Sequence, residues 1–150
     1  MYVYASKRID RPIEAVWEVV TDVARMDQWS PVEGSIDFTV RTEGALVGVG
    51  SRLIRRYDSA DGESIGESIV EVSEYNPPRR LALSAVDLDT DMTFTIQLDP
   101  SEDDSTIVAL RNGDSVNTGL LGIFQRRSQR RMLARMLNRL KRQVEGEQPT

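Results

Sequence analysis

The two ends of this chain constrain its fold more than anything between them. After Pro12 come Ile13, Val16, Trp17, Val20 and Val23. That three- and four-residue spacing makes one apolar stripe on a short amphipathic helix. Pro12 suits the first helical position, where a missing N–H costs nothing, and Glu14 sits in the first turn, where the helix dipole favours a carboxylate. A second short helix is predicted over residues 24–29, stopped by Ser30-Pro31. At the far end a long helical pattern covers residues 118–145. Its stripe is Leu121, Phe124, Ser128, Met132, Met136, Leu140 and Val144, flanked by Leu133 and Leu137.

Between the helices the sequence alternates. Residues 2–9, 36–41, 51–58, 63–75, 80–86, 92–98 and 106–111 read as strands. Ala60-Asp61-Gly62 marks a hairpin turn, Gly66 a bend in a long strand, and Asn76-Pro77-Pro78 an interruption. The acidic stretch 100–104 and Asn112-Gly113-Asp114 read as turns. Strands joined by short turns build an antiparallel sheet, and helices then cover one face of it, an α+β arrangement.

With 150 residues and 39% hydrophobic composition, one globular domain is expected, over residues 1–145, with 146–150 as a frayed tail. No run of about 18 apolar residues suggests a membrane-spanning helix. The N-terminus alternates like a strand and lacks the pattern of a secretory signal, so a cytoplasmic location is expected. Cysteine and histidine are both absent. That removes disulfides, thiol nucleophiles, thiolate metal sites and the commonest general base. The carboxylates show no metal-ligand spacing, and neither a P-loop nor a dinucleotide fingerprint occurs. No metal and no cofactor are expected.

The net charge of −5 hides an asymmetry. Residues 126–142 carry eight of the 19 basic residues and no acid, which leaves eleven bases against 24 acids elsewhere, a balance of −13. The basic helix reads either as a solvated face or as a docking surface for an anionic membrane or a protein, through Arg127, Arg131 and Arg135. Overall acidity and the lack of a recognised motif argue against nucleic acid.

Several of these segments carry a family resemblance. They are Ile9-x-x-Pro12-x-Glu14-x-Val16-Trp17, Asp22, Trp29-Ser30-Pro31, Gly50-Ser51-Arg52 and the run from Glu74 to Leu81, Glu-Tyr-Asn-Pro-Pro-Arg-Arg-Leu. In this order they resemble the START-like, or birch-pollen-allergen-like, superfamily, and within it the polyketide cyclase/dehydrase and lipid-transport branch. The resemblance spans almost the whole chain. It implies the helix-grip fold, a curved antiparallel sheet wrapped around a long C-terminal helix, with two short helices after the first strand. It also implies an apolar cavity between sheet and closing helix, and binding of a small hydrophobic ligand such as a lipid, polyketide or quinone. A minority of the family catalyse polyketide cyclisation or dehydration.

On that reading the cavity is lined by Trp29, Phe38, Val40, Leu53, Leu83, Phe94, Ile96, Phe124, Met132 and Met136. The same alternation would equally give a filled core. On the strand around residue 55, one parity turns Leu53, Arg55 and Tyr57 inward, and Arg55 and Tyr57 are then its polar candidates. An inward arginine needs a partner, either Glu67 on the next strand or an acidic or carbonyl group of a ligand; alternatively it reaches the rim and stays solvated. Were there catalysis, Arg55 and Tyr57 would be its candidates. The chain reads as a binder before an enzyme, as monomer or dimer.

Overall fold

A computed structural model of the chain describes residues 2–29, 38–86, 93–113 and 120–146, with side chains placed for all of these except Tyr2, Phe38, Thr39 and residues 120–126. The first strand, β1 (Tyr2–Ile9), leads into α1 (Ile13–Val20) and α2 (Val23–Trp29). Six strands follow: β2 (Phe38–Glu43), β3 (Arg52–Ser59), β4 (Ser64–Asn76), β5 (Arg80–Ala85), β6 (Thr93–Ser101) and β7 (Ser105–Gly113). The chain closes with α3 (Leu120–Gly146), 27 residues long and so about 40 Å from end to end.

The strands form one antiparallel sheet in the order β1-β7-β6-β5-β4-β3-β2. Neighbours from β2 to β7 are consecutive in sequence, as short turns dictate. β1 breaks the rule by pairing with β7 from Tyr2↔Gly113 to Ile9↔Thr106. β1 and β2 are therefore opposite edges, and the segment carrying α1 and α2 crosses the sheet between them. Both helices contact α3, and α2 also reaches β2. This is the expected α+β helix-grip architecture.

Element ends moved where pairing outweighed turn chemistry. β6 runs through Pro100 to Ser101, and the acidic turn shrinks to a single 3-10 turn over Glu102–Asp104. Asp103 and Asp104 take positive φ there, of 58° and 53°, which aspartate tolerates better than most residues. β7 continues through Asn112 to Gly113 because both have partners on β1 and β6. β4 bends twice, at register shifts opposite Tyr57/Asp58 and between Val72 and Glu74; Gly66, with φ of 156°, lies at the first. Gly44 has φ of 130°, and a Cβ there would sit 2.8 Å from the carbonyl oxygen of Arg52, so only glycine fits.

The core lies between the sheet and α3. Leu133, Met136, Leu137, Leu140 and Val144 are all buried, whereas Ser128 is exposed and Met132 half-buried. The expected stripe is thus rotated: Leu133 and Leu137, taken as flanks, are its centre. A helix against a curved sheet buries a wider arc than one row, and the two leucines face the strands. Trp17 packs on Tyr75 with ring centroids 5.7 Å apart, tying α1 to β4 at that ring pair, while the helix lies against β6 and β7.

The C-terminal end of α3 is tied to the turn after β1. The Asp10 N–H donates to a Glu145 carboxylate oxygen at 3.0 Å, and Arg11 donates to the Glu145 carbonyl at 3.2 Å. Lys141 also donates to the Glu145 carboxylate. Burial pushes Glu145 up, but the bonds from Lys141 and Asp10 and the charges of Lys141 and Arg11 outweigh it. They hold the carboxyl below its ordinary value of 4.5. A depressed carboxyl adds stability that is present above that value and lost as pH falls below it. Glu145→Gln is therefore expected to lower the melting temperature at pH 7, with the gap to wild type closing below about pH 4.5. Thermal unfolding from pH 3 to pH 8 checks this.

Candidate functional site

Register partners share a sheet face, so the pairing defines what α3 looks down on. One row runs Val72–Leu83–Phe94–Asn112–Val3 across β4, β5, β6, β7 and β1. The next is Tyr75–Leu81–Ile96–Leu110–Ala5, and a third ends Leu98–Val108–Lys7. The inner face is apolar but for a few side chains, and two of those were not singled out from sequence.

Asn112 is the first. It is 8% exposed, between Phe94 and Val3 in the first row, and its amide makes no side-chain hydrogen bond with a described residue. Asn-Gly-Asp reads locally as a turn, which hid it. The signal available was parity: Thr106, Val108, Leu110 and Asn112 alternate on one face. Lys7 is the second, the one charged residue among the inward positions of β1, Val3, Ala5, Lys7 and Ile9.

The expected cavity residues divide into two groups. Leu53 and Ile96 are fully buried, and Trp29 and Met136 nearly so at 2% and 4% exposure. Leu83, Phe94 and Met132 pack against that core but remain partly exposed, as does Val40. Phe38 belongs to β2 and Phe124 to α3, but their side chains lie outside the described residues. The Trp29 Nε1–H is fully buried and has no hydrogen-bond partner among the described residues. An orphan donor of this kind costs about 1–3 kcal/mol.

Arg55 and Tyr57 lie on the same parity as Leu53. Arg55 points at α2, not at Glu67: its guanidinium is 3.8 Å from Asp27. Glu67 instead bonds Arg56 at 3.1 Å, because Arg56 and Glu67 are register partners on the other face. Arg56 also bonds Glu43, and these bonds and charges raise its pKa further. Asp27 accepts from both the N–H and the hydroxyl of Thr42, at 2.7 and 2.6 Å. Tyr57 shares a 2.9 Å hydrogen bond with Ser68. Asp27 therefore pins α2 to β2 and β3, a role the sequence did not suggest, since its partners lie 15 and 28 residues on.

The site is thus an apolar, partly open inner face with a buried amide and an unpartnered indole N–H, and a carboxylate–guanidinium pair beside it. It can hold an apolar body and meet a few polar atoms. Among the described residues no group of three or more carboxylates is placed to hold a metal ion.

This architecture matches a family that covers residues 2–145, described as polyketide cyclase / dehydrase and lipid transport. The chain belongs to that family. Solved structures agree on the fold. The AHSA1-like protein from Aeromonas hydrophila is 21% identical with a TM-score of 0.69, covering 97% of this chain and 93% of that one. A protein from Chromobacterium violaceum is 18% identical with a TM-score of 0.71, over 96% and 97%. One from Nitrosomonas europaea is 16% identical with a TM-score of 0.72, over 99% and 96%. No curated protein sequence matches the chain. Among the described residues, no helix of this family member is long and apolar enough to cross a membrane.

Removing Asp27 strands the Thr42 N–H and hydroxyl and takes a carboxylate from Arg55. Asp27→Ala is expected to lower the free energy of unfolding by about 1–3 kcal/mol, measured by urea denaturation.

Proposed function

We propose that this protein binds a small hydrophobic ligand, lipid-, polyketide- or quinone-like, between the inner sheet face and α3. The observation that carries this reading is the first row. Leu83 and Phe94 face the helix side yet are only partly covered, with the buried Asn112 amide directly beside Phe94. Apolar surface left partly uncovered next to a buried amide suits a ligand with an apolar body and a polar atom. Family membership supports ligand binding in general.

Transfer from water is the driving force. A ligand losing about 200 Å² of apolar surface to the site gains about 5 kcal/mol at roughly 25 cal/mol per Å². Trp29 Nε1 donates to an acceptor oxygen, and Asn112 can donate or accept, so the polar atom sets the ligand's orientation. Sequestration and release need no chemistry.

Native mass spectrometry of the purified protein, followed by titration with the neutral dye Nile red, tests this. Phe94→Asp is expected to weaken dye binding at least tenfold while the far-ultraviolet circular dichroism is kept. A folded Phe94→Asp protein that binds the dye like wild type overturns the reading.

A second reading concerns delivery. Arg127, Arg130, Arg131, Arg135 and Arg142 are exposed on α3, with no acid between residues 120 and 144. Each such cation adds on the order of 1 kcal/mol towards an anionic bilayer. Reversing Arg127 and Arg131 to glutamate is expected to abolish co-sedimentation with phosphatidylglycerol-containing vesicles at low salt.

A further inference from the structure

The inner face of β1 breaks its own pattern at Lys7. Val3 and Ile9 are buried and Ala5 packs on the core, but Lys7 takes an inward position opposite the fully buried Val108. It is half-buried and makes no ion pair with a described residue. A local rule broken without a compensating contact marks a functional position.

Lys7 opens onto a groove of about 510 Å³ between β1 and the last turns of α3, lined also by Asn138, Lys141, Arg142, Glu145 and Gly146. Three cations line it against one acid. Glu145 is already committed, its carboxylate to Lys141 and the Asp10 N–H and its carbonyl to Arg11. Arg142, like Lys7, has no carboxylate partner among the described residues. The dipole at the C-terminal end of a helix favours cations there, which accounts for Lys141 and Arg142. It does not account for Lys7, which comes from the sheet.

We propose that this groove binds a phosphate-bearing ligand, with the phosphate between Lys7 and Arg142 and the Asn138 amide donating to it. Cationic and amide donors from two elements suit an oxyanion with several acceptor oxygens, and a charged acceptor strengthens each bond. The open groove has room beyond a bare phosphate, so it admits a soluble phosphoester or the headgroup of an anionic phospholipid. Apolar ligand binding under α3 is a separate matter, and this site stands whether or not that holds.

Thermal unfolding in inorganic phosphate, in glycerol phosphate and in chloride, at matched ionic strength, tests the proposal. Wild type is expected to melt several degrees higher in either phosphate than in chloride. Lys7→Met and Arg142→Met should each lose that difference and bind glycerol phosphate at least tenfold more weakly by calorimetry. In phosphate-free buffer of low salt, Lys7→Met should melt above wild type, because an unpaired cation is gone. Equal melting of wild type in phosphate and chloride overturns the proposal, as does unchanged phosphate affinity in the two variants. The source is read from vesicles containing phosphatidylglycerol. Loss of vesicle binding in Lys7→Met assigns the phosphate to lipid; binding kept there, with glycerol phosphate affinity lost, assigns it to a soluble phosphoester.

Discussion

The structure depends on the burial of one side of α3 in the curl of the sheet. Leu133, Leu137 and Leu140 are almost wholly removed from water; they share one core cluster with Leu, Ile and Val of the strands, and α3 lies against β1 and β7. No other described element is long enough to cover those strands. The sheet needs the helix, whose Arg127, Arg130, Arg131, Arg135 and Arg142 are exposed on its other sides. The clamp at Asp10, Arg11 and Glu145 then sets where along the sheet the helix ends.

Given that constraint, what matters for function is where the inner face departs from apolar packing. Asn112 brings a buried amide into the interior, and Trp29 an indole N–H with no partner among the described residues. Arg55 and Asp27 form a pair that joins α2 to the sheet. Lys7 places a cation at the far end, under the last turns of α3. Of these the Trp29 indole N–H is buried without a partner among the described residues, and such a group carries a cost that a bound acceptor removes. The Asp27 network is different: its hydrogen bonds are made within the chain, so its work is to hold α2 in place.

Much of this was legible locally. The alternation in β6, the stripe of α1, the hairpin at Asp61-Gly62 and the parity of Leu53, Arg55 and Tyr57 follow from spacing alone, since side-chain direction is set by backbone period. What was not legible depended on partners distant in sequence. Glu67 stood as a partner for Arg55 because it is on the next strand, yet the register puts it opposite Arg56, on the other face. Asn112 read as a turn residue until β1 and β6 paired with it on both sides. The local period on α3 favours a stripe through Met132 and Ser128, and packing instead buries Leu133 and Leu137.

The amino-acid sequence by itself therefore determined the kinds of element, their order, the α+β class and the charge split between α3 and the rest. These rest on local dihedral preference, apolar period and composition. The tertiary structure alone decided that β1 closes against β7, that Asp27 and not Glu67 meets Arg55, and that Lys7 and Asn112 face inward among apolar neighbours. Those outcomes follow from strand register, and a shift of one residue in register exchanges the two faces of a strand.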